Sequence, residues 1–192
     1  MDEREFVVTL EGYVRREDRA ALAALRRGFG KPAWEAPEMY RYVVPLLGPG
    51  ISDDRAATFI ATASAFAYHP CIGTEGDPPS GRRNIGKALR EIAQRDPESR
   101  PAIERRFEVV LRADRADLVD HLWRIVTLLK SKEIDVDWRQ FLHDVGYPSW
   151  SQVRREWAAA FWAPPPDGAG PSRGREEAPT VSDRSEDESR SD

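Results

Sequence analysis

The sequence predicts an all-α protein, and two observations indicate this class. Apolar residues recur at helical spacing through most of the chain, whereas the alternating pattern typical of a strand is confined to the stretch FVVTL near the N-terminus. Most of the helical segments also begin at a capping residue or end at Gly or Pro. We therefore expect about seven to nine helices.

The first helices follow from their start and stop residues. In EDRAALAALRRG, Asp18 is the predicted cap and Gly28 the predicted stop. Pro37 suits the first turn of the next segment, and Pro45 must kink or end it. The stretch SDDRAATFIATASAFAYHP begins at a Ser/Asp cap and stops at Pro70, so it predicts a buried helix.

The second half of the body contains five further predicted helices. NIGKALREIAQR and SRPAIERRFEVVLRA are both amphipathic. The strongest segment is DRADLVDHLWRIVTLLKSK, for which Asp114 is the predicted cap. DVDWRQFLHDVG predicts a short helix that stops at Gly146. SWSQVRREWAAAFW completes the body, with Trp150 and Trp157 on one apolar stripe.

Composition divides the chain into three parts. The Gly- and Pro-rich stretch CIGTEGDPPSGRR predicts a boundary between an N-terminal bundle, residues 1–76, and a C-terminal bundle, residues 77–162. In residues 163–192, Pro, Gly, Ser and charged residues dominate and almost nothing can be buried. This composition predicts a disordered acidic tail.

The net charge of −4 belongs to the tail, which has four Arg and eight Asp or Glu residues. The body is neutral, with 25 basic and 25 acidic residues, so composition alone does not indicate a nucleic-acid partner. The sequence shows neither a signal-peptide pattern nor a long apolar run, and we expect a cytoplasmic protein without membrane contact. The single cysteine, Cys71, excludes an internal disulfide.

The residue types needed for catalysis or metal binding are sparse. His69 and Cys71 are close in sequence, but a proline separates them and no second ligand pair follows at useful spacing. His121 adjoins an apolar helix face, and His143 lies in the last turn of a short helix. No phosphate-binding loop or Gly-x-Ser-x-Gly motif occurs. We therefore expect no catalytic residue, metal or cofactor.

Tryptophan is frequent enough to suggest base stacking, yet most of these residues suit a core. Trp123, Trp138, Trp150 and Trp157 lie on or near apolar stripes, which favours packing. Only Trp34, in a predicted loop, is open to a surface role.

The segment LRRGFGKP places Arg26 and Arg27 in the last turn of a predicted helix and Lys31 shortly after it. One explanation is electrostatic, because a helix C-terminus favours each cation by about 0.3–1 kcal/mol. The other is that the three residues bind phosphate groups. The sequence pattern leaves both explanations open.

Four stretches together resemble the CasB family, the small subunit of the type I-E CRISPR Cascade complex. They are LAALRRGFGKPAWEAPEMY, YHP with its loop into IGKALREIA, HLWRIVTLLKSKEIDVDWRQFLHDV, and VRREWAAAFW. They cover about residues 20 to 162, and the third is the most specific. The resemblance implies an all-helical, non-catalytic subunit built as two small helical bundles. It also implies that two copies lie beside other Cascade subunits, CRISPR RNA and target DNA. It further implies contact with the displaced strand and with the strand paired to the guide.

The resemblance also orders the candidate nucleic-acid-binding residues. Its basic cluster matches Arg26, Arg27 and Lys31, which become the first candidates. Second candidates lie in the other matched stretches: Lys130, Lys132, Arg139, Arg154 and Arg155. Weaker candidates follow the Gly- and Pro-rich loop: Arg82, Arg83 and Lys87.

We therefore predict an RNA-guided antiviral subunit that binds nucleic-acid backbone without reading sequence and stabilises the opened DNA strands. A first alternative is a structural adaptor of the same assembly, whose arginines meet acidic protein surfaces. A second is an unrelated helical hydrolase that uses His69, His121 or His143.

Overall fold

The computed structural model describes residues 2–72, 83–115 and 117–163. These residues form nine α-helices and no strand, so the predicted all-α class is confirmed. The helices are α1 (Glu3–Arg15), α2 (Arg19–Arg26), α3 (Tyr40–Val43), α4 (Asp53–Tyr68), α5 (Ile85–Arg95), α6 (Arg100–Arg112), α7 (Leu118–Ser131), α8 (Trp138–Gly146) and α9 (Trp150–Trp162). The predicted tail lies outside the described residues, apart from Ala163, as does most of the predicted boundary loop.

The alternating stretch FVVTL lies inside α1 and forms no strand. Two features explain the helix. Asp2 and Glu5 form a reciprocal capping box at its start, and this satisfies backbone N–H groups that would otherwise lack partners. Phe6, Val7 and Leu10 are all buried, at a spacing that suits one helix face.

Gly28 directly follows Arg27, the C-cap of α2, so the predicted stop agrees with the helix end at Arg26. The nearby glycine with a left-handed backbone is Gly30, at a φ of 77°. The small size of Gly28 allows a close approach of its neighbours. A Cβ atom there would lie 2.6 Å from Sδ of Met39 and 3.3 Å from Cβ of Ser64.

The predicted cap of α7 is also wrong. Asp117, and not Asp114, precedes the first residue of the helix, and its side chain makes no capping hydrogen bond. Just before this helix, the guanidinium of Arg115 contacts α8. It donates to the carbonyl oxygens of Tyr147 at 2.6 Å and Val145 at 2.8 Å, and so holds the residues before α7 against the end of α8.

One continuous cluster of buried apolar residues joins α1, α2 and α4 to the helices of the second half. The predicted packing of Trp123, Trp138, Trp150 and Trp157 is confirmed, since all four are buried. Gly86 of α5 lets that helix pack directly on α9. A Cβ atom at this position would lie 2.0 Å from the carbonyl oxygen of Trp157.

Candidate nucleic-acid interface

Two of the candidate cations meet at the C-terminus of α4, although they come from different helices. The Nε atom of Arg26, at the end of α2, donates to the carbonyl oxygen of Ala67 at 3.0 Å. The Nζ atom of Lys130, in the last turn of α7, donates to the next carbonyl, that of Tyr68, at 2.6 Å. We call Arg26 and Lys130, together with Arg27, Lys31 and Lys132 beside them in the chain, the helix-end cluster.

Electrostatics explains why these cations lie at α4. The last carbonyl groups of a helix lack hydrogen-bond partners within the helix and carry a partial negative charge. No basic residue occurs in the last turn of α4 itself. Arg26 and Lys130 supply the positive charge from neighbouring helices. The sequence offered a helix C-terminus as one explanation for the charge of Arg26. The structure agrees with that explanation, but the C-terminus that Arg26 contacts is that of α4.

Aromatic contacts fix the position of Tyr68, whose carbonyl binds Lys130. The ring of Phe29 stacks on that of Tyr68, with 3.9 Å between centroids and 4° between planes. The ammonium of Lys130 lies 4.0 Å from the centroid of the Tyr68 ring, a cation–π contact. Phe29 also meets Trp123 edge to face at 4.7 Å. The loop after α2 is therefore held firmly against α4 and α7.

Both anchored cations keep unused donors. An arginine has five N–H donors and a lysine has three, and each carbonyl bond uses one. Arg26 and Lys130 are both exposed to solvent. The carbonyl bonds restrict the rotamers of the two side chains, and the remaining donors are free to bind a phosphate group.

Arg27 and Lys31 complete the exposed part of the cluster. Nη1 of Arg27 lies 3.5 Å from Oε1 of Glu38, in a pair whose side chains are 61% and 44% exposed. Such an exposed pair is weak and exchanges readily with another anion. Lys31 is exposed, and within the described part of the chain its side chain has no hydrogen bond or ion pair.

Lys132 differs from the rest of the cluster because it already has an acidic partner. Its Nζ atom lies 3.3 Å from Oδ2 of Asp96, the residue that follows α5. Hydrogen bonds from Ser99 and Lys132 lower the pKa of Asp96 below its ordinary value. This carboxylate offsets one positive charge at the edge of the cluster.

The other second candidates contact different elements. Nη2 of Arg139 is 3.9 Å from Oε2 of Glu11 in α1. Arg154 donates to the carbonyl oxygen of Ala113 at 2.6 Å and so stabilises the end of α6. Arg155 is exposed, without an ion pair to any described residue.

The weaker candidates are only partly described. Arg82 lies outside the described residues. Arg83 forms an ion pair with Glu91, and Lys87 is exposed in the first turn of α5. Arg83 precedes α5 and Lys87 lies within it, and no described contact joins Arg83 to the helix-end cluster.

The structure adds two residues that the sequence did not single out. Arg115 holds the C-terminus of α8, as Arg154 holds that of α6. No local pattern identifies this role, because Arg115 and Tyr147 are 32 positions apart. Trp162 is a second exposed tryptophan, at 44%, in addition to Trp34 at 41%. The sequence had pointed to a surface role for Trp34 only.

His69 and Cys71 do lie together, but the arrangement is that of a structural pair. Nε2 of His69 bonds the carbonyl oxygen of Ile134 at 2.9 Å and lies 3.4 Å from Sγ of Cys71. Because Nε2 must donate to that carbonyl, it is not available to accept the thiol proton. Burial raises the pKa of the Cys71 thiol to about 11, so the thiolate is scarce at neutral pH.

The other two histidines have separate surroundings. Nδ1 of His143 lies 3.4 Å from Oε2 of Glu3, and His121 lines a groove between α6 and α7. Within the described ranges, no three His, Cys, Asp or Glu side chains are placed to hold a metal ion. Among the helices of those ranges, none has the length and apolar character needed to cross a membrane.

Comparison with known proteins agrees with this fold. The family model for CRISPR-associated protein Cse2 matches residues 21–162. A CRISPR-associated protein Cse2 of Thermus thermophilus is 31% identical over 157 residues, which cover 80% of this chain and 82% of the relative.

Solved structures of related proteins have a similar fold. The crystal structure of CasB from M. ruber superposes with a TM-score of 0.66 at 25% identity, over 83% of this chain and 91% of the other. A chain of a CRISPR RNA-guided surveillance complex superposes with a TM-score of 0.67 at 26% identity, over 83% and 90%. The chain therefore belongs to the CRISPR-associated protein Cse2 family, whose members are also called CasB.

Proposed function

We propose that this chain is the non-catalytic small subunit of a type I-E Cascade complex and binds nucleic-acid backbone through the helix-end cluster. The observation that carries the proposal is the anchoring of Arg26 and Lys130 on consecutive carbonyls of α4, with donors left over. The family supports the assembly, since a similar chain is part of a CRISPR RNA-guided surveillance complex.

A small number of cations is enough to favour strand opening, because the opening is nearly balanced in free energy. An RNA–DNA heteroduplex is about as stable as the DNA duplex that it replaces, so weak contacts to the opened strands shift the balance. Each exposed cation of the cluster would neutralise one phosphate of the displaced or target strand. In this proposal the partners are the other Cascade subunits, CRISPR RNA, target DNA and a second copy of the chain.

Backbone contact without base recognition suits the chemistry of the cluster. Reading a base edge requires side chains presented to a groove in a fixed geometry, such as a bidentate arginine on guanine. The cluster instead presents three lysines and two arginines at the end of a helix, and no described contact holds a pair of donors in the geometry of a base edge. We therefore propose binding that depends on salt and not on sequence.

The alternative of a structural adaptor gains support from Arg139 and Arg154. Both contact groups of the protein itself, which shows that arginines of the matched stretches also serve the fold. If the whole cluster did the same, its exposed members would meet acidic protein surfaces. Binding to nucleic acid by the purified chain distinguishes the two functions.

The test is a titration of labelled single-stranded DNA with the full chain at several salt concentrations. The variant is Arg26→Ala/Arg27→Ala/Lys31→Ala. The matched control, Arg4→Ala/Arg19→Ala/Arg105→Ala, removes three exposed arginines outside the cluster and the same charge. We expect the variant to lose affinity and about two units of salt slope, since each single-strand phosphate contributes about 0.7. Equal losses in variant and control would contradict the assignment of the cluster.

A further inference from the structure

A groove of about 550 Å³ lies between α6 and α7. Arg106 and Val109 line it from α6, and Trp123, Arg124 and Leu128 line it from α7. The function proposed above does not use this groove.

The ionisable side chains that line the groove are all basic. Its lining contains two arginines and a histidine and, within the described residues, no Asp or Glu. Arg106 and Arg124 are exposed, and neither forms an ion pair with a described residue. A cleft lined by cations concentrates an anionic ligand.

The groove also offers apolar contacts. Val109 is 44% exposed, and the largely buried side chain of Trp123 forms part of the lining. A carboxylate in the groove would neutralise the arginines, while a neighbouring apolar part of the same ligand would pack on Val109.

We propose that the acidic segment of this same chain, residues 164–192, docks in the α6–α7 groove. The segment follows Ala163, directly after the end of α9. Trp162, at the end of α9, packs on Phe107 of α6 with 5.4 Å between ring centroids, and Phe107 is next to Arg106 in the chain. An extended chain spans roughly 3.3 Å per residue, so a segment of 29 residues is long enough to reach the groove from the end of α9.

The composition of the segment complements the groove. Residues 164–192 contain eight acidic and four basic residues. Because the segment belongs to the same chain, its effective concentration at the groove is on the order of millimolar, so weak individual contacts are sufficient. Docking also brings acidic side chains toward Lys130 and Lys132, which flank the groove residue Ser131.

The test places a nitroxide on Ser189→Cys in the full chain and measures broadening of amide NMR signals. A Cys71→Ala background keeps the label at one position. We expect strong broadening at Val109 and Leu128 and none in α1. A mixture of labelled chains with isotope-enriched, unlabelled chains should show no broadening, because the contact lies within one molecule.

Charge reversal identifies the groove as the docking site. Arg106→Glu/Arg124→Glu should abolish the broadening at Val109 and Leu128. The control Arg105→Glu/Arg19→Glu makes the same change in net charge at exposed arginines outside the groove lining and should retain it. All four substitutions are at the surface, and circular dichroism checks that each variant is folded.

Three results would overturn the proposal. One is an absence of broadening at the groove in the folded wild-type chain, which would leave the groove to an acidic segment of another protein. A second is broadening that survives reversal of Arg106 and Arg124. The third is broadening in the mixed sample, which would assign the groove to the tail of a second copy.

Discussion

The Nε atom of Arg26 donates a hydrogen bond of 3.0 Å to the carbonyl oxygen of Ala67, 41 residues further along the chain. This bond joins the end of α2 to the end of α4. It gives Arg26 a role in stability as well as its proposed role in binding.

Arg26→Ala should therefore lower the free energy of unfolding by about 1 kcal/mol, the usual net value of a hydrogen bond. For a body of this size the melting temperature should fall by about 2–4 °C. Arg27→Ala is the control, because the Arg27–Glu38 pair is largely exposed and should contribute less than about 0.5 kcal/mol. Thermal denaturation measures both, and equal shifts would contradict the role of the Ala67 bond.

Gly86→Ala should destabilise the protein by about 3 kcal/mol, because the new Cβ atom would lie 2.0 Å from the backbone oxygen of Trp157. The matched control is Gly12→Ala in α1, where only the flexible side chain of Arg16 is near. There the substitution should stabilise the helix by up to about 1 kcal/mol. Urea denaturation of both variants checks the opposite signs. An unchanged free energy of unfolding in Gly86→Ala would contradict the close packing of α5 on α9.

Asp144 predicts a dependence of stability on pH. Its carboxylate is buried and accepts hydrogen bonds from Trp157 at 2.6 Å and Gln140 at 2.5 Å. Burial raises its pKa above the ordinary value of 3.8, so the folded state favours the protonated form. The resulting stabilisation is fully present below pH 3.8 and is lost as pH rises through the raised pKa.

Asp144→Asn removes this titration and tests the prediction. The free energy of unfolding of the wild-type chain, relative to the variant, should be highest at low pH and fall toward neutral pH. Denaturant titrations at pH 3.5, 5 and 7 suffice. A difference that is constant over this range, or that rises with pH, would contradict a raised pKa at Asp144.

Cys71 should react slowly with alkylating agents in the folded chain. Its thiol is buried and has a pKa of about 11, against about 8.5 for a free cysteine. At pH 8 the thiolate fraction is lower by about two orders of magnitude, and the rate should follow it. Mass spectrometry of iodoacetamide labelling, with and without denaturant, measures the ratio. Fast labelling of the folded chain would exclude the structural pairing with His69.

Periodicity was sufficient to predict most of the fold. The Pro37, Pro45 and Pro70 limits and the stripe through Trp150 and Trp157 depend on local spacing, and the structure agrees with them. FVVTL was ambiguous because its alternation covers only five residues, and the capping box decided in favour of a helix.

The candidate site was predictable only in part. The charge of Arg26 is visible in the sequence, but its partner Ala67 is not, because local patterns carry no information on contacts across 41 positions. The contact of Arg115 with the end of α8 was missed for the same reason, since Tyr147 is 32 positions away. The likeness to a family supplied Arg26, Arg27 and Lys31 as a group, and the structure added Lys130 beside Arg26 at the end of α4.

The most direct measurement of the central claim is R-loop formation by a Cascade complex assembled with this chain. It compares wild type with Arg26→Ala/Arg27→Ala/Lys31→Ala and with the matched control at Arg4, Arg19 and Arg105. We predict that all three chains assemble and that only the cluster variant forms R-loops more weakly, with the loss increasing at higher salt. Unchanged R-loop formation by the cluster variant, or its failure to join the complex, would contradict the account and favour a structural adaptor.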